Sequence, residues 1–336
     1  MHIKYFYTAL IFVLLSGRTS HSQNVEEPVR VMFYNIENFF DIHDDTLTDD
    51  NSFLPGGAMK WNYSRYNKKL NSLYKTIVAA GDWNPPAVIA FCEIEKRNVL
   101  EDLVYKTFLS KFRYGIIHEE SPDRRGIDVC LIYRKDLVNV AGYDYLIPDT
   151  SNFTSRSILH ARLIIHSDTI HFFVNHWPSR RGGVLAGAGS RMLIAQMVKG
   201  KVDSILQRDN QSRIILLGDF NCTPDDAIIR SLICSPGNDT VLINLSGSLG
   251  KSEGTYRYRG AWEMIDQVMV SKGLVYCNNG IYTSEKMLKI LSSDFLLQKD
   301  PNYPGMSPYS TYRGYRYQGG YSDHLPVLLN LGVRLP

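Results

Sequence analysis

Eight apolar runs of strand length recur along this chain, at residues 29–35, 87–93, 126–134, 159–167, 169–176, 213–218, 264–271 and 326–331. Most are apolar at odd and even positions alike, as strands are when both faces of their sheet are covered. Helical periodicity separates some of them. Tyr66, Leu70, Leu73 and Ile77 fall at i, i+4, i+7 and i+11, and Gly81 closes that segment. Further helices are expected around 99–108 and 190–206. A short one should open at Thr223-Pro224-Asp225-Asp226, which offers an N-cap, a proline at the first helical position and acids in the first turn. Ser167-Asp168, between two alternating runs, predicts a tight hairpin. A hairpin among strands with interspersed helices points to a layered α+β domain and away from a purely parallel sheet. No repeat, low-complexity tract or linker divides residues 25–336, so a single domain is expected there.

The first 22 residues read as an address. Lys4 precedes an apolar stretch from Tyr5 to Leu15, broken only by Thr8, and Ser20-His21-Ser22 offers small residues for cleavage before Gln23. The stretch is shorter than the roughly 20 residues a bilayer span needs. A cleaved signal peptide over 1–22 and a periplasmic or secreted protein are therefore expected, with an uncleaved anchor as the alternative. Without Lys4 and Arg18 the chain keeps 35 basic against 34 acidic groups. Such a balance excludes a strongly basic coat for nonspecific nucleic-acid binding. Five cysteines (Cys92, Cys130, Cys222, Cys234, Cys277), with no C-x-x-C pair, argue against a zinc site and a full disulfide framework. Cys92 and Cys130 lie in apolar runs and read as buried thiols; a Cys234–Cys277 pair stays open.

Chemistry concentrates where the runs end. One leads into Asn35-Ile36-Glu37, another into Glu93, a third into Asn175-His176, a fourth into Asp219-Phe220-Asn221, and Ser322-Asp323-His324 stands just before the last. A single polar residue at a strand end is usually a cap or turn former. Five ends, all carrying metal-ligating or proton-transferring groups, ask for another reason, because rigid strands fix groups while loops leave room for ligand. Carboxylates with amides suit a hard cation such as Mg2+ or Mn2+, and the histidines are too few for a zinc cage.

The ordered set Asn35, Glu93, His176, Gly218-Asp219-Phe220-Asn221, Asp266 in Ile265-Asp266-Gln267, and Ser322-Asp323-His324 resembles the endonuclease/exonuclease/phosphatase superfamily, the DNase I-like fold. The match runs in the family's order from residue 30 to about 332. It implies a four-layer α/β/β/α sandwich, with the site at one rim of its two sheets, and divalent-metal hydrolysis of a phosphate ester. Such a reaction brings water in line to phosphorus and neutralises the equatorial oxygens. By the resemblance Glu93 is the principal metal ligand, Asn35 contacts metal or phosphate, and Asp323 is a further ligand. Asp219 orients or deprotonates the water, and Asn221 holds a phosphate oxygen or a second metal. If the chain stays extended past its strand, both face the pocket. His176 and His324 are the acid/base candidates, and Asp266 resembles the carboxylate that orients His324. Whether Asp219 or His324 is the base stays open. Asp128 is a candidate to orient His176, or else a strand residue bonded to backbone. Glu37 is either a further metal ligand or a solvent-facing loop acid. The resemblance also leaves room for Ca2+ as a structural or co-activating ion.

Two local features bear on the substrate. Arg180 and Arg181 follow His176 closely and suit phosphate oxygens, although a solvated loop would read the same. A tyrosine-rich stretch (Tyr303, Tyr309, Tyr312, Tyr315, Tyr317, Tyr321), echoed by Tyr256-Arg257-Tyr258-Arg259 and Trp262, either stacks bases, walls a small pocket or simply packs. The expectation is an exported, monomeric phosphodiesterase, foremost a nuclease of low sequence specificity acting on nucleic acid, with no stable protein partner. An enzyme of sugar, inositol or lipid-linked phosphates is the alternative, favoured by the near-neutral charge. A binding module that has lost catalysis ranks last, since all core positions are occupied.

Overall fold

A computed structural model describes residues 29–148, 155–180, 183, 185, 187–234, 239–250 and 252–334. The expected signal peptide and Arg181 lie outside the described residues. Among those residues no helix is long and apolar enough to cross a membrane.

Two mixed sheets form the frame. The first has β1 (Val29–Phe39), β2 (Val88–Ile94), β3 (Tyr114–Ile117), β4 (Asp128–Arg134), β13 (Gly280–Tyr282), β14 (Leu288–Ile290) and β19 (Val327–Arg334). Its order is β13-β19-β1-β2-β4-β3, with β14 also on β19. The second has β5 (Val138–Leu146), β6 (Ile158–Ile165), β7 (Asp168–His176), β8 (Arg213–Asp219), β9 (Leu242–Asn244) and β12 (Asp266–Ser271), in the order β5-β6-β7-β8-β12-β9. Among the described strands only β1–β2 and β7–β8 pair in parallel. Small hairpins hang from this frame: β10 (Tyr256–Tyr258) with β11 (Ala261–Glu263), β15 (Leu297–Lys299) with β16 (Met306–Pro308), and β17 (Tyr312–Arg313) with β18 (Arg316–Tyr317).

Strand alternation builds the layers. In β1, Val31 and Phe33 enter the core between the sheets, while Met32, Tyr34 and Ile36 point the other way. That second face is covered by α1 (Tyr63–Ala80) and α2 (Arg97–Tyr105), through Leu70, Leu73, Ile77, Leu100 and Leu103. In β8, Ile215 and Leu217 join the inter-sheet core, and Ile214 and Leu216 meet α3 (Ala188–Arg208) and α4 (Ala227–Ile233). Burying each such side chain contributes about 1.5–3 kcal/mol before the entropy of ordering is subtracted. The result is the four-layer α/β/β/α sandwich that the family resemblance implied.

Local expectations met mixed outcomes. The hairpin between β6 and β7 turns at His166-Ser167, one residue early, with His166 left-handed at φ 53°. The helix expected at Thr223 begins only at Ala227. Asp226 accepts from the Thr223 amide at 2.6 Å and from its hydroxyl at 3.3 Å, so the side chain closes a turn before the helix starts. The Cys234–Cys277 pair left open by the sequence does not form; all five thiols are free, and Cys277 Sγ donates to Ile281 O at 3.3 Å.

Candidate active site

Register brings the polar strand ends to one rim. Parallel pairing of β7 with β8 sets His176 beside Asp219, and antiparallel β12 sets Asp266 opposite Asp219. Gly218 makes this level possible: a Cβ there would stand 2.2 Å from Asn175 O on β7, and its φ of 154° lies outside what other residues readily adopt. In the other sheet, β1 pairs with β2 so that Asn35 lies beside Cys92, and the register then shifts on both strands. At this irregularity Glu37, Asn38 and Glu93 all take positive φ (53°, 51° and 66°). Three left-handed non-glycine residues in one place cost on the order of 1 kcal/mol or more each and mark a conformation imposed by the surroundings.

The two sheets meet through side chains. Asn35 Nδ2 donates to Asp219 Oδ2 at 3.1 Å and to Glu93 Oε1 at 3.4 Å, and the Asn38 amide holds Glu93 Oε2 at 2.8 Å. His176 Nε2 lies 3.7 Å from Glu93 Oε1 and 3.8 Å from Asp219 Oδ2. His324 Nδ1 hydrogen-bonds Asp266 Oδ2 at 2.7 Å, and its Nε2 faces Asp219 Oδ2 and Asp323 Oδ1, each at 4.0 Å. Asn35, Glu93, His176, Asp219, Asp266, Asp323 and His324 thus converge as expected.

Electrostatics divides the two histidines. Burial alone would lower the His324 pKa, yet the Asp266 charge and hydrogen bond, backed by Asp323 and Asp219, push it well above the usual value. His176 goes the other way, driven well down by burial and then by Arg156 and Arg125. Asp219 is raised to about 7, chiefly by burial and the nearby Asp266 charge, against the opposing pull of His324.

The donor set fits a hard divalent cation. Asp219, Asp266 and His324 each offer one ligand atom within 4.8 Å of the others, and Asp266 Oδ1 is buried with no hydrogen-bond partner. Because His324 and Asp266 are bound to each other, the carboxylates left to cradle a cation are those of Asp219 and, on the same cavity wall, Glu93 and Asp323; Asn35 turns its Nδ2 to Glu93 and Asp219 while its Oδ1 accepts from the Glu37 amide at 3.0 Å.

At four positions the structure decides between the expectations or corrects them. For Asp128 the second reading holds: it is a strand residue whose carboxylate accepts from the Ser121 backbone amide at 2.9 Å and sits 3.3 Å from His118 Nε2, and His176 Nδ1, which it does not reach, is buried without a partner. Glu37 is neither a ligand facing the cradle nor a solvent-facing acid. It is buried, and its two oxygens accept from the Thr311 amide at 2.5 Å and the Tyr312 amide at 2.8 Å. Asn221 does not follow an extended chain, because its φ is 49°; its amide donates to Trp177 O at 3.0 Å while the residue still lines the cavity. Arg180 lines the cavity too, but its guanidinium is paired with Glu263 of β11.

The cavity over the cradle has a volume of about 870 Å³. Its wall includes Arg156, which reading from sequence missed. Arg156 is buried, donates to Trp177 O at 3.4 Å and stands 3.4 Å from Asp123. A charged residue just ahead of an apolar run was its only signal. Most of the tyrosine-rich stretch packs: Tyr312 stands against Trp61 and Phe53, Tyr317 lies under Arg65, and Tyr309 meets Tyr321. Tyr256 and Tyr258 are the tyrosines that reach the cavity.

The Endonuclease/Exonuclease/phosphatase family model matches residues 30–332. No curated protein sequence matches the chain. Among solved structures, a mannosyl-6-phosphatase of Bacteroides thetaiotaomicron is similar at a TM-score of 0.58 and 15% identity, covering 90% of this chain and 99% of its own. The catalytic domain of human Nocturnin gives 0.55 and 15%, with 91% and 95% covered. D. rerio TDP2, solved with a single-strand DNA product, gives 0.56 and 12%, with 91% and 99% covered. At these identities the likeness speaks for the fold.

Proposed function

The chain belongs to the endonuclease/exonuclease/phosphatase family, hydrolases acting on phosphate esters, and from that premise we propose an exported, Mg2+- or Mn2+-dependent phosphoesterase acting on small organic phosphates. The lining of the cavity carries this reading. Five carboxylates (Glu93, Asp123, Asp219, Glu263, Asp323) face three guanidiniums (Arg125, Arg156, Arg180), and Arg180 and Arg156 already stand against Glu263 and Asp123. A polyanion would meet little uncommitted positive charge there, whereas one phosphate at the cradle needs only the cation and one or two guanidiniums.

When bound, the cation supplies charge neutralisation and polarisation at a phosphoryl oxygen. Glu93 and Asp323 would hold it, with Asn35 Nδ2 bridging Glu93 and Asp219 beside it. His324, kept protonated by Asp266, presents Nε2–H toward the same space and donates to a phosphate or leaving-group oxygen. Asp219 then serves as the base that orients and deprotonates water, its oxygens fixed by the Asn221 amide at 2.9 Å and Asn35 Nδ2. On this reading Asp219, and not His324, is the base. Neutral His176 contributes a hydrogen bond to the phosphate. Arg156 steadies the outer oxygens.

A nuclease is the second reading. One observation favours it: Tyr258 lines the cavity with half its surface exposed and the Arg259 guanidinium 5.2 Å from its ring centroid, an aromatic–arginine pair of the kind that takes a base and its phosphate. A panel of sugar phosphates, glycerol phosphates, nucleotides, DNA and RNA, each with Mn2+ or EDTA, separates the readings. Phosphate release from small esters with plasmid left intact is expected. Cleaved nucleic acid without such release would select the nuclease, and silence across the panel would remove both. The apolar leader supports export, which N-terminal sequencing of the protein recovered from periplasm or medium would test.

A further inference from the structure

A lysine stands where helical periodicity calls for a core residue. Lys69 lies between Tyr66 and Leu70 on the buried face of α1 and is 1% exposed. Its Nζ donates to Thr311 Oγ1 at 2.6 Å and to Tyr321 O at 2.5 Å. Glu37, also buried, accepts from the Thr311 and Tyr312 amides. Thr311 is therefore held from two sides, by its hydroxyl and by its amide. Tyr321 O leads directly into Ser322, whose Oγ donates to Asn35 O at 2.7 Å and accepts from the His324 amide at 3.1 Å.

Two ionisable side chains in a core cost several kcal/mol of lost hydration unless hydrogen bonds return it, and apolar residues of similar size often serve stability equally well. Their placement asks for a reason other than stability. Glu37 is two residues from Asn35, and the Lys69 contact is one residue from the Ser322-Asp323-His324 segment. The pair joins α1, the irregularity of β1 and that segment, so it fixes Asn35 relative to Asp323 and His324.

We infer that Lys69 and Glu37 form a buried clasp that positions the Ser322-Asp323-His324 segment against the cradle, which makes Lys69 a positioning residue of the active site although it touches no reacting group. The inference rests on the site assignment made above. A simpler role is available to Lys69: its charge lies close enough to Asp323 and Glu93 to act on them from below. The two roles predict opposite effects on metal binding. Removing a mere counter-charge makes the cradle more negative and tightens a cation; removing a clasp lets the ligand segment move and loosens it.

The experiment uses the mature full-length chain and four variants: Lys69→Met, Lys69→Arg, Glu37→Gln, and the double Lys69→Met/Glu37→Gln. Mn2+ affinity is read by calorimetry, amide hydrogen exchange is followed over 309–324, and kcat is separated from KM. In Lys69→Met, exchange over 309–324 should accelerate about tenfold, and Mn2+ should bind about tenfold more weakly, the scale of one lost hydrogen bond to a charged group. The fall should appear in kcat, with KM held within about twofold, since no substrate contact is touched. Lys69→Arg should recover part of both effects. The double variant should be less impaired than the two singles combined, because neither partner is left buried alone. Tighter Mn2+ binding with unchanged exchange in Lys69→Met would overturn the clasp, as would acceleration spread evenly over the whole chain. Should Lys69→Met fail to fold, Glu37→Gln and Lys69→Arg carry the same exchange test. Failure of the wild type to bind Mn2+ or hydrolyse any ester would sink the functional reading, while the exchange arm would still decide the clasp.

Discussion

Two histidine–aspartate pairs of nearly equal length stand on the second sheet or at its rim. His324 meets Asp266 at 2.7 Å in the cradle, and His160 meets Asp144 at 2.8 Å on the face toward α3. The bond is the same and the outcome is opposite. At His324, burial is outweighed by Asp266, Asp323 and Asp219, and the pKa rises well above the usual value. At His160, burial wins: Asp144 is half exposed and shared with Lys201 at 3.0 Å, and Arg162 adds further positive charge, so the pKa falls. His160 Nε2 then meets His171 Nδ1 at 2.9 Å, and Phe173 stacks on its ring with centroids 4.4 Å apart. One pair is surrounded by carboxylates and open to a cavity; the other is wedged among cations and rings. Hydrogen-bond geometry by itself does not identify a catalytic histidine. Its neighbours do.

The largest expected effect tests that contrast directly. His324→Ala and Glu93→Ala should each lower kcat by at least about a thousandfold on whichever ester proves to be the substrate. His160→Ala should leave it within about threefold. Chelation by EDTA should match the Glu93→Ala loss. Comparable losses at His160 and His324 would break the distinction drawn between the pairs.

Next come the orienting carboxylates. Asp266→Asn keeps the shape but removes the charge that fixes the His324 tautomer, and a loss of about 10²–10⁴ in kcat is expected, as for triad aspartates. Asp144→Asn should stay within about twofold, because nothing reacts at His160. The same pair of substitutions sharpens the assignment of Asp219 as base. If His324 is the protonated donor, Asp266→Asn should also move the alkaline limb of the kcat profile to lower pH, since the carboxylate that raises the His324 pKa is gone.

These contrasts bear on what the sequence disclosed. The strand runs, the main helices and the rim at which Asn35, Glu93, His176, Asp219, Asp266 and His324 meet were legible, because period-2 burial and strand-end chemistry are written locally. What escaped reading depends on contacts far apart in the chain. Glu37 and Glu93 turn left-handed at a register shift that no residue type announces, and Glu37 is claimed by amides 274 and 275 positions away. Order along the chain leaves Asp128 open between orienting His176 and bonding to backbone, and only the fold, which sets it beside Ser121 and His118, decides for the second. Whether the chain stays extended to Asn221 is not legible, because sequence spacing says nothing of φ. Lys69 was invisible: a lysine on an otherwise apolar helix face looks like a surface residue until its partner is known.

The smallest effect concerns the structural pair. His171 is lowered to about 4, by burial first and then by the His160, Arg162 and Lys201 charges, and His160 is lowered as well. A base whose folded pKa lies below its unfolded value, near 6.5, takes up protons in the unfolded chain first. Stability is therefore unaffected above that value and declines as pH falls from about 6.5 toward 4. His324 has the opposite sign: its raised pKa adds stability that is fully present below about 6.5 and is lost as pH rises through the folded value. In thermal melts from pH 7.5 to 4.5, His171→Gln should flatten the acid-side fall in Tm by roughly 2 °C. His324→Gln should instead lower Tm by a constant amount below about pH 6.5, leaving the acid-side slope as it is, and by less as pH rises above that value. An unchanged acid-side slope in His171→Gln together with a pH-independent loss in His324→Gln would mean that the surrounding charges, and not these imidazoles, set the pH response, and the electrostatic half of the comparison would have to be abandoned.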